Sequence, residues 1–146
     1  MINEKIKELK RSPKRSIPFL EKEKTVEWMN NHIPKKPGVY LAFEKGVIVY
    51  VGETGNLYKR FKDLRDTRNH PLRVKIGNKN KKECKEGGSR QKCPKPIEKK
   101  IDRWLTKRMK FTWLHIPLGR KEIEEKIICS SPKPKYNHEE IRRCGL

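Results

Sequence analysis

Two short apolar runs set the frame of the chain. Gly38-Val39-Tyr40 opens one and Tyr50-Val51-Gly52 closes the next, with Glu44-Lys45-Gly46 between them. Both runs are rich in β-branched and aromatic residues and the gap carries turn residues, which predicts a β-hairpin. Leu57, Phe61 and Leu64 recur at i, i+4 and i+7 behind Asn56, a residue suited to an N-cap. That spacing predicts an amphipathic helix with one buried stripe. Asn69-His70-Pro71 should end it or break it before Leu72-Arg73-Val74-Lys75-Ile76.

The rest of the chain is read in the same way. Residues 1–22 form a Lys/Arg-rich lead broken at Ser12-Pro13 and Ile17-Pro18, so a short helix and an extended arm are expected. Thr25 should cap a short helix through Asn31, with Val26 and Met29 inward. Pro34 and Pro37 force an extended entry into the hairpin. Residues 77–96 carry no apolar period and read as a cationic insertion. A helix is expected from Pro96 to Met109, a third strand over 110–117, and a last helix from Arg120 to Ser130. The sum is an α+β fold: a small three-stranded antiparallel sheet flanked by helices. Its expected parts are a basic arm and short helix at 1–33, one domain at 34–138 and a tail at 139–146.

Charge then narrows the partner. Among 146 residues Lys and Arg outnumber Asp and Glu by 38 to 18, a formal net charge of +20. A field of that sign attracts polyanions and makes binding strongly salt-dependent. Nucleic acid is the expected partner, DNA before RNA, and a protein partner or homodimer is compatible with this. No apolar stretch approaches the ~20 residues that span a bilayer. The first residues lack the apolar core of an export signal, so a cytoplasmic location is expected. Cys84, Cys93, Cys129 and Cys144 form no CxxC pair, so zinc is not expected. Cys84 and Cys93 flank a turn-like loop that a disulfide could close, but free thiols are the expectation for a reducing cytosol.

Several features recur in a fixed order over residues 34–137. They are Gly38-Val39-Tyr40, Tyr50-Val51-Gly52, Arg60 four residues after the Asn56 cap, a glutamate before Ile127-Ile128, and Pro134-Lys135-Tyr136-Asn137. The ordered set resembles the GIY-YIG nuclease superfamily, whose members include repair nucleases, intron homing enzymes and restriction enzymes. Val39 and Val51 replace the isoleucines of the name, and Glu53 stands where some members carry Lys.

The resemblance implies an endonuclease that hydrolyses phosphodiester bonds with Mg²⁺ or Mn²⁺. It implies catalytic roles for Tyr40, Tyr50, Arg60 and Glu124, with Glu124 as the metal ligand. Helix phasing separates the glutamates: with Ile123 at 0°, Glu124 falls at about 100°, on the margin of an apolar face centred near ~60°. Glu125 at about 200° and Glu122 at about −100° point away. Arg60 would fork onto two phosphate oxygens. Tyr40 is the expected general base and Tyr50 the positioning phenol. A phenol of pKa ~10 is scarcely ionised at neutral pH, so a nearby cation must assist it. His70 is a secondary candidate for proton transfer, and a helix-end contact is its commoner use.

Thr54 and Asn56 at a helix N-terminus, with Lys59, Arg73 and Lys75, are the expected nucleic-acid contacts. Gly38, Gly52 and Asn137 are expected to be structural, Asn137 by tying the C-terminal segment to the sheet. Two other readings stand beside the enzyme. Glu53 favours a nucleic-acid-binding module that keeps the fold without turnover. A basic protein assembling on RNA would need neither Tyr40 nor Glu124.

Overall fold

The computed structural model describes residues 1–66, 69–80, 94–130, 132–141 and 144. Strands β1 (Gly38–Glu44), β2 (Val47–Thr54) and β3 (Met109–His115) form one antiparallel sheet in the order β2-β1-β3. The hairpin closes through Lys45 and Gly46, both at positive φ (50° and 77°), the geometry that suits the twist of a two-residue turn. Between Ala42 and Phe43 the β1–β2 register slips, with Val49 the extra residue.

Both faces of the sheet are buried, so its strands read as near-continuous apolar runs. Val39, Leu41, Phe43 and Val51 pack against Ile6 and Leu9 of α1 (Ile2–Arg11) and the isoleucines of α6 (Arg120–Ile128). On the other face, Tyr40, Ala42, Tyr50 and Phe111 meet α2 (Lys22–His32), α3 (Leu57–Asp63), α4 (Pro71–Asn80) and α5 (Lys95–Lys107).

The short helix expected at the start of the chain is α1, and the extended arm after it lies on the domain, so residues 1–33 contribute to this core. Arg15 exchanges backbone hydrogen bonds with Phe111 at 2.9 and 2.8 Å, which covers the free edge of β3, and Ile17 and Phe19 are fully buried. Thr25 does not cap α2, which begins earlier, at Lys22; its hydroxyl donates to the Pro18 and Glu21 carbonyls.

Helix α4 lies where no element is expected from the sequence. Pro71 sits at its first turn, where a missing N–H costs nothing, and His70 Nδ1 accepts from the Leu72 N–H at 3.1 Å. The residues that read as a stop are a start. Of the expected 77–96 insertion, residues 77–80 belong to α4 and 95–96 to α5, while 81–93 lie outside the described residues. Cys84 and Cys93 lie there too. Cys129 and Cys144 are joined in a disulfide, against the expectation of free thiols.

A 3₁₀ turn (Lys135–Asn137) and α7 (His138–Ile141) close the chain along β2. Asn137 does what was expected of it. Its Oδ1 accepts from the Val51 N–H at 2.9 Å and its Nδ2 donates to the Val51 carbonyl at 3.0 Å, pairing backbone groups on the outer edge of the sheet. Among the described residues no helix is long and apolar enough to cross a membrane.

Candidate active site

The register sets Tyr40 opposite Gly52 and Tyr50 opposite Ala42, so the two phenols lie diagonally on one face with ring centroids 6.2 Å apart. Gly52 makes this possible. A Cβ there would stand 2.4 Å from both Cζ and Oη of Tyr40, in space the ring already occupies. Gly38 admits the β3 backbone in the same way, since its Cβ would lie 2.4 Å from the Leu114 carbonyl oxygen.

Arg60 arrives from α3. Asn56 Oδ1 caps that helix by accepting from the Lys59 N–H at 3.0 Å. The half-buried guanidinium donates to the Asn69 carbonyl at 3.2 Å and lies 3.6 Å from Asp63. Burial opposes its charge, but Tyr40, Tyr50 and Asp63 outweigh that, and it stays cationic.

His70 belongs to this site more firmly than its sequence position suggests. Its Nε2 is 2.7 Å from Tyr40 Oη, and its ring lies 5.9 and 5.7 Å from those of Tyr40 and Tyr50. Burial, then Arg60 and Arg73, push its pKa well below the ordinary value, so the ring is neutral. Because Nδ1 accepts from Leu72, the single hydrogen sits on Nε2 and is donated to Tyr40. The available signal was Pro71 at a helix start, which makes the preceding residue a cap.

Both phenols resist ionisation. Burial and then Tyr50 raise the pKa of Tyr40 well above its usual value, against the pull of Arg60. Tyr50 is pushed up to about 12, by burial first and then by Glu124 and Glu140, with Arg60 opposing. Arg60 and Glu124 therefore both act electrostatically on Tyr50.

Glu124 is where the phasing puts it. It is half-buried, between the buried Ile123 and Ile127 and the exposed Glu122 and Glu125. Burial, then Glu53 and Glu140, raise its pKa to about 7, while the Glu53 backbone and Lys121 oppose. Arg120 pairs with Glu53 at 3.1 Å and so does not neutralise Glu124. Glu124 lines a hollow of about 300 Å³ with Lys121, Glu125, Ile128, Cys129 and Glu140.

No protein-family model, curated protein or solved structure matches the chain. Its chemistry rests on its own geometry.

Two expected nucleic-acid contacts are corrected. Arg73 is fully buried and bonded at 2.5 Å to both Asp102 and Glu98, where it fastens α4 to α5. Lys75 points inward, donating to the Tyr136 carbonyl at 2.7 Å with Glu140 3.9 Å away. Thr54 and Asn56 spend their side chains on each other's turn and on the α3 cap. Lys59 alone of the set is exposed and clear of such a bond.

The residues fit a hard divalent cation in a limited way. Glu124 is an oxygen donor whose proton affinity is raised by burial first and then by acidic neighbours, the second of which a cation would offset. Among the described residues no group of three or more His, Cys, Asp or Glu could hold a metal ion. One carboxylate with waters and substrate phosphates completing the shell is a binding mode Mg²⁺ tolerates.

Proposed function

We propose that this chain is a divalent-metal-dependent endonuclease of the GIY-YIG type that hydrolyses phosphodiester bonds in nucleic acid, most readily DNA. One observation carries the reading. Arg60 and Glu124, which lie 64 positions apart in sequence (124 minus 60), both bear on the paired phenols, Arg60 on Tyr40 and Tyr50 and Glu124 on Tyr50. The surrounding charge of +20 is of the sign that holds a polyanion against them.

Each residue has a part in that chemistry. Arg60 grips two phosphate oxygens and meets the extra charge of the pentacovalent transition state. Tyr50 positions the phosphate between Arg60 and Glu124. Tyr40 is the base toward the attacking water. Burial works against a phenolate there, and the His70 N–H and Arg60 are the groups that would stabilise one. Since Nδ1 of His70 is committed to Leu72, His70 does not take the proton itself. Mg²⁺ or Mn²⁺ held at Glu124 would supply charge for the leaving oxygen.

A second reading, a binding module without turnover, is favoured by Glu53, whose charge stands beside Glu124. Supercoiled plasmid with Mg²⁺ separates the two. Nicking by the native chain that Glu124→Gln abolishes, with binding retained, supports the nuclease. Equal binding without nicking by either protein supports the module.

A further inference from the structure

At the turn end of the hairpin, two hollows lie on either side of Lys45 and Gly46, of about 420 and 440 Å³, and share Val47 and Ile48. One is walled by Lys10, Lys14 and Phe43, the other by Lys45, Arg108, Lys133 and Lys135. All six cations are exposed. Among the described residues Glu44 is the single acid lining either hollow, and it takes Lys135 at 3.3 Å. Among the described residues no carboxylate pairs with Lys10, Lys45 or Lys133. Two more heads are held over ring faces: Lys14 lies 4.7 Å from the Phe43 centroid and Arg108 4.2 Å from that of Trp104. Such contacts orient a cation without neutralising it. Some cations elsewhere do face acids: Lys22 and Arg73 pair with Asp102, and Arg120 with Glu53.

We propose that this saddle is a second nucleic-acid contact, separate from the candidate active site, that holds the phosphate backbone of a DNA duplex. The proposal rests on the nucleic-acid reading above. Val47 lies six residues along β2 from Glu53, about 20 Å at ~3.4 Å per residue. That span is about six base pairs at ~3.4 Å each along one strand. A duplex lying along β2 would run from the Glu53 end of the strand to the saddle in about half a turn. Concavity is what sets the cluster apart from an ordinary solvated basic face, and a third basic hollow with Lys100, Arg103 and Lys107 adjoins it at Trp104 and Arg108.

The test is metal-free binding of the full chain to a labelled 24-base-pair duplex over a salt series, so that no cleavage intervenes. Lys10→Gln/Lys45→Gln/Lys133→Gln is compared with Lys7→Gln/Lys24→Gln/Lys99→Gln, which removes equal charge outside both hollows. The saddle variant should lower the slope of log K against log salt by about 2 to 3, at ~0.9 for each phosphate no longer neutralised, and the control by under about 1. With Mg²⁺, the saddle variant should raise KM and leave kcat unchanged. Equal slopes for the two variants would overturn the saddle even if the native chain cuts DNA. A selective loss of slope would uphold it even if nothing is cut. Loss of poly-glutamate binding in the saddle variant, with DNA binding intact, would mark an acidic protein as the occupant and also overturn it.

Discussion

Gly52→Ala isolates the packing that sets the two phenols. The new Cβ would lie 2.4 Å from Tyr40 Oη and Cζ, about 1 Å inside the ~3.5 Å contact distance. Tyr40 cannot simply turn aside, because its ring is packed against Phe61 at 5.1 Å and Tyr50 at 6.2 Å between centroids. A displacement of about 1 Å would stretch the 2.7 Å bond to His70 beyond hydrogen-bond range. Overpacking costs about 1–3 kcal/mol, and leaving the buried hydroxyl and imidazole unpaired a further ~1–3 kcal/mol. The expected loss is therefore about 2–6 kcal/mol, a large share of the ~5–15 kcal/mol that holds a domain together. Urea denaturation measures it, with an unchanged slope showing that the unfolded state is the same. In a Tyr40→Ala background the cavity accepts the methyl, and Gly52→Ala should then cost under about 1 kcal/mol. An equal cost in both backgrounds, or a loss within ~0.5 kcal/mol of zero in the native one, would refute the reasoning.

Three other perturbations are as specific. Glu124 titrates near 7 when folded and near its ordinary 4.5 when unfolded, so its contribution to stability is full below 4.5 and is lost as pH rises through 7. His70, with its lowered pKa, works in the opposite sense, losing stability as pH falls below 6.5. Only the difference in Tm between native and Glu124→Gln isolates the carboxylate: it should shift in favour of the variant from pH 5 to pH 8, and parallel profiles would sink this. Arg73→Gln leaves Asp102 and Glu98 without their buried partner and should cost about 3–5 kcal/mol with DNA affinity of the folded protein unchanged. A stable variant with weakened DNA binding would show that Arg73 is a surface contact after all. Cys144→Ser opens a link across 15 residues and should cost about 3 kcal/mol. Alkylation of both Cys129 and Cys144 in unreduced, denatured protein would contradict the bond.

What was legible in the sequence shares one property: its signal is local. The hairpin is written in two β-rich runs and a Lys-Gly turn, α3 in an Asn cap with apolar residues at helical spacing, and the margin position of Glu124 in the isoleucines around it. The rest depends on partners far away in the chain. Arg73 reads as one more cation because Glu98 and Asp102, the acids that bury it, come 25 and 29 residues later. Ile17 and Phe19 have no period around them, since a single bridge to β3, and not a regular element, carries them into the core. Asn69-His70-Pro71 misled for a different reason. Proline marks both ends of helices, and only the bond from the Leu72 N–H to His70 shows which end this is. The Cys129–Cys144 pair is spatial, and no spacing in the sequence announces it.

Charge around Tyr50 is divided, and the division constrains what can bind. Arg60 stays cationic despite its burial, while burial first and then Glu53 and Glu140 raise the pKa of Glu124 to about 7. Among the described residues no ion pair holds Glu124, while Arg120 is taken up by Glu53. An anion alone would suit Arg60 and repel the carboxylates. A cation alone would relieve Glu124 and face the guanidinium. A phosphate carrying its own divalent counter-ion answers both sides at once, with the oxyanion toward Arg60 and the cation toward Glu124. Under the proposed function a single half-buried carboxylate would suffice, because the metal would arrive with part of its coordination shell already supplied by the substrate. Metal affinity should then be weak in the free protein and rise when nucleic acid is bound. Titrating Mn²⁺ into the Tyr40→Phe protein, with and without a duplex, reads this coupling directly, and equal affinities in the two titrations would dissolve the link between Arg60 and Glu124.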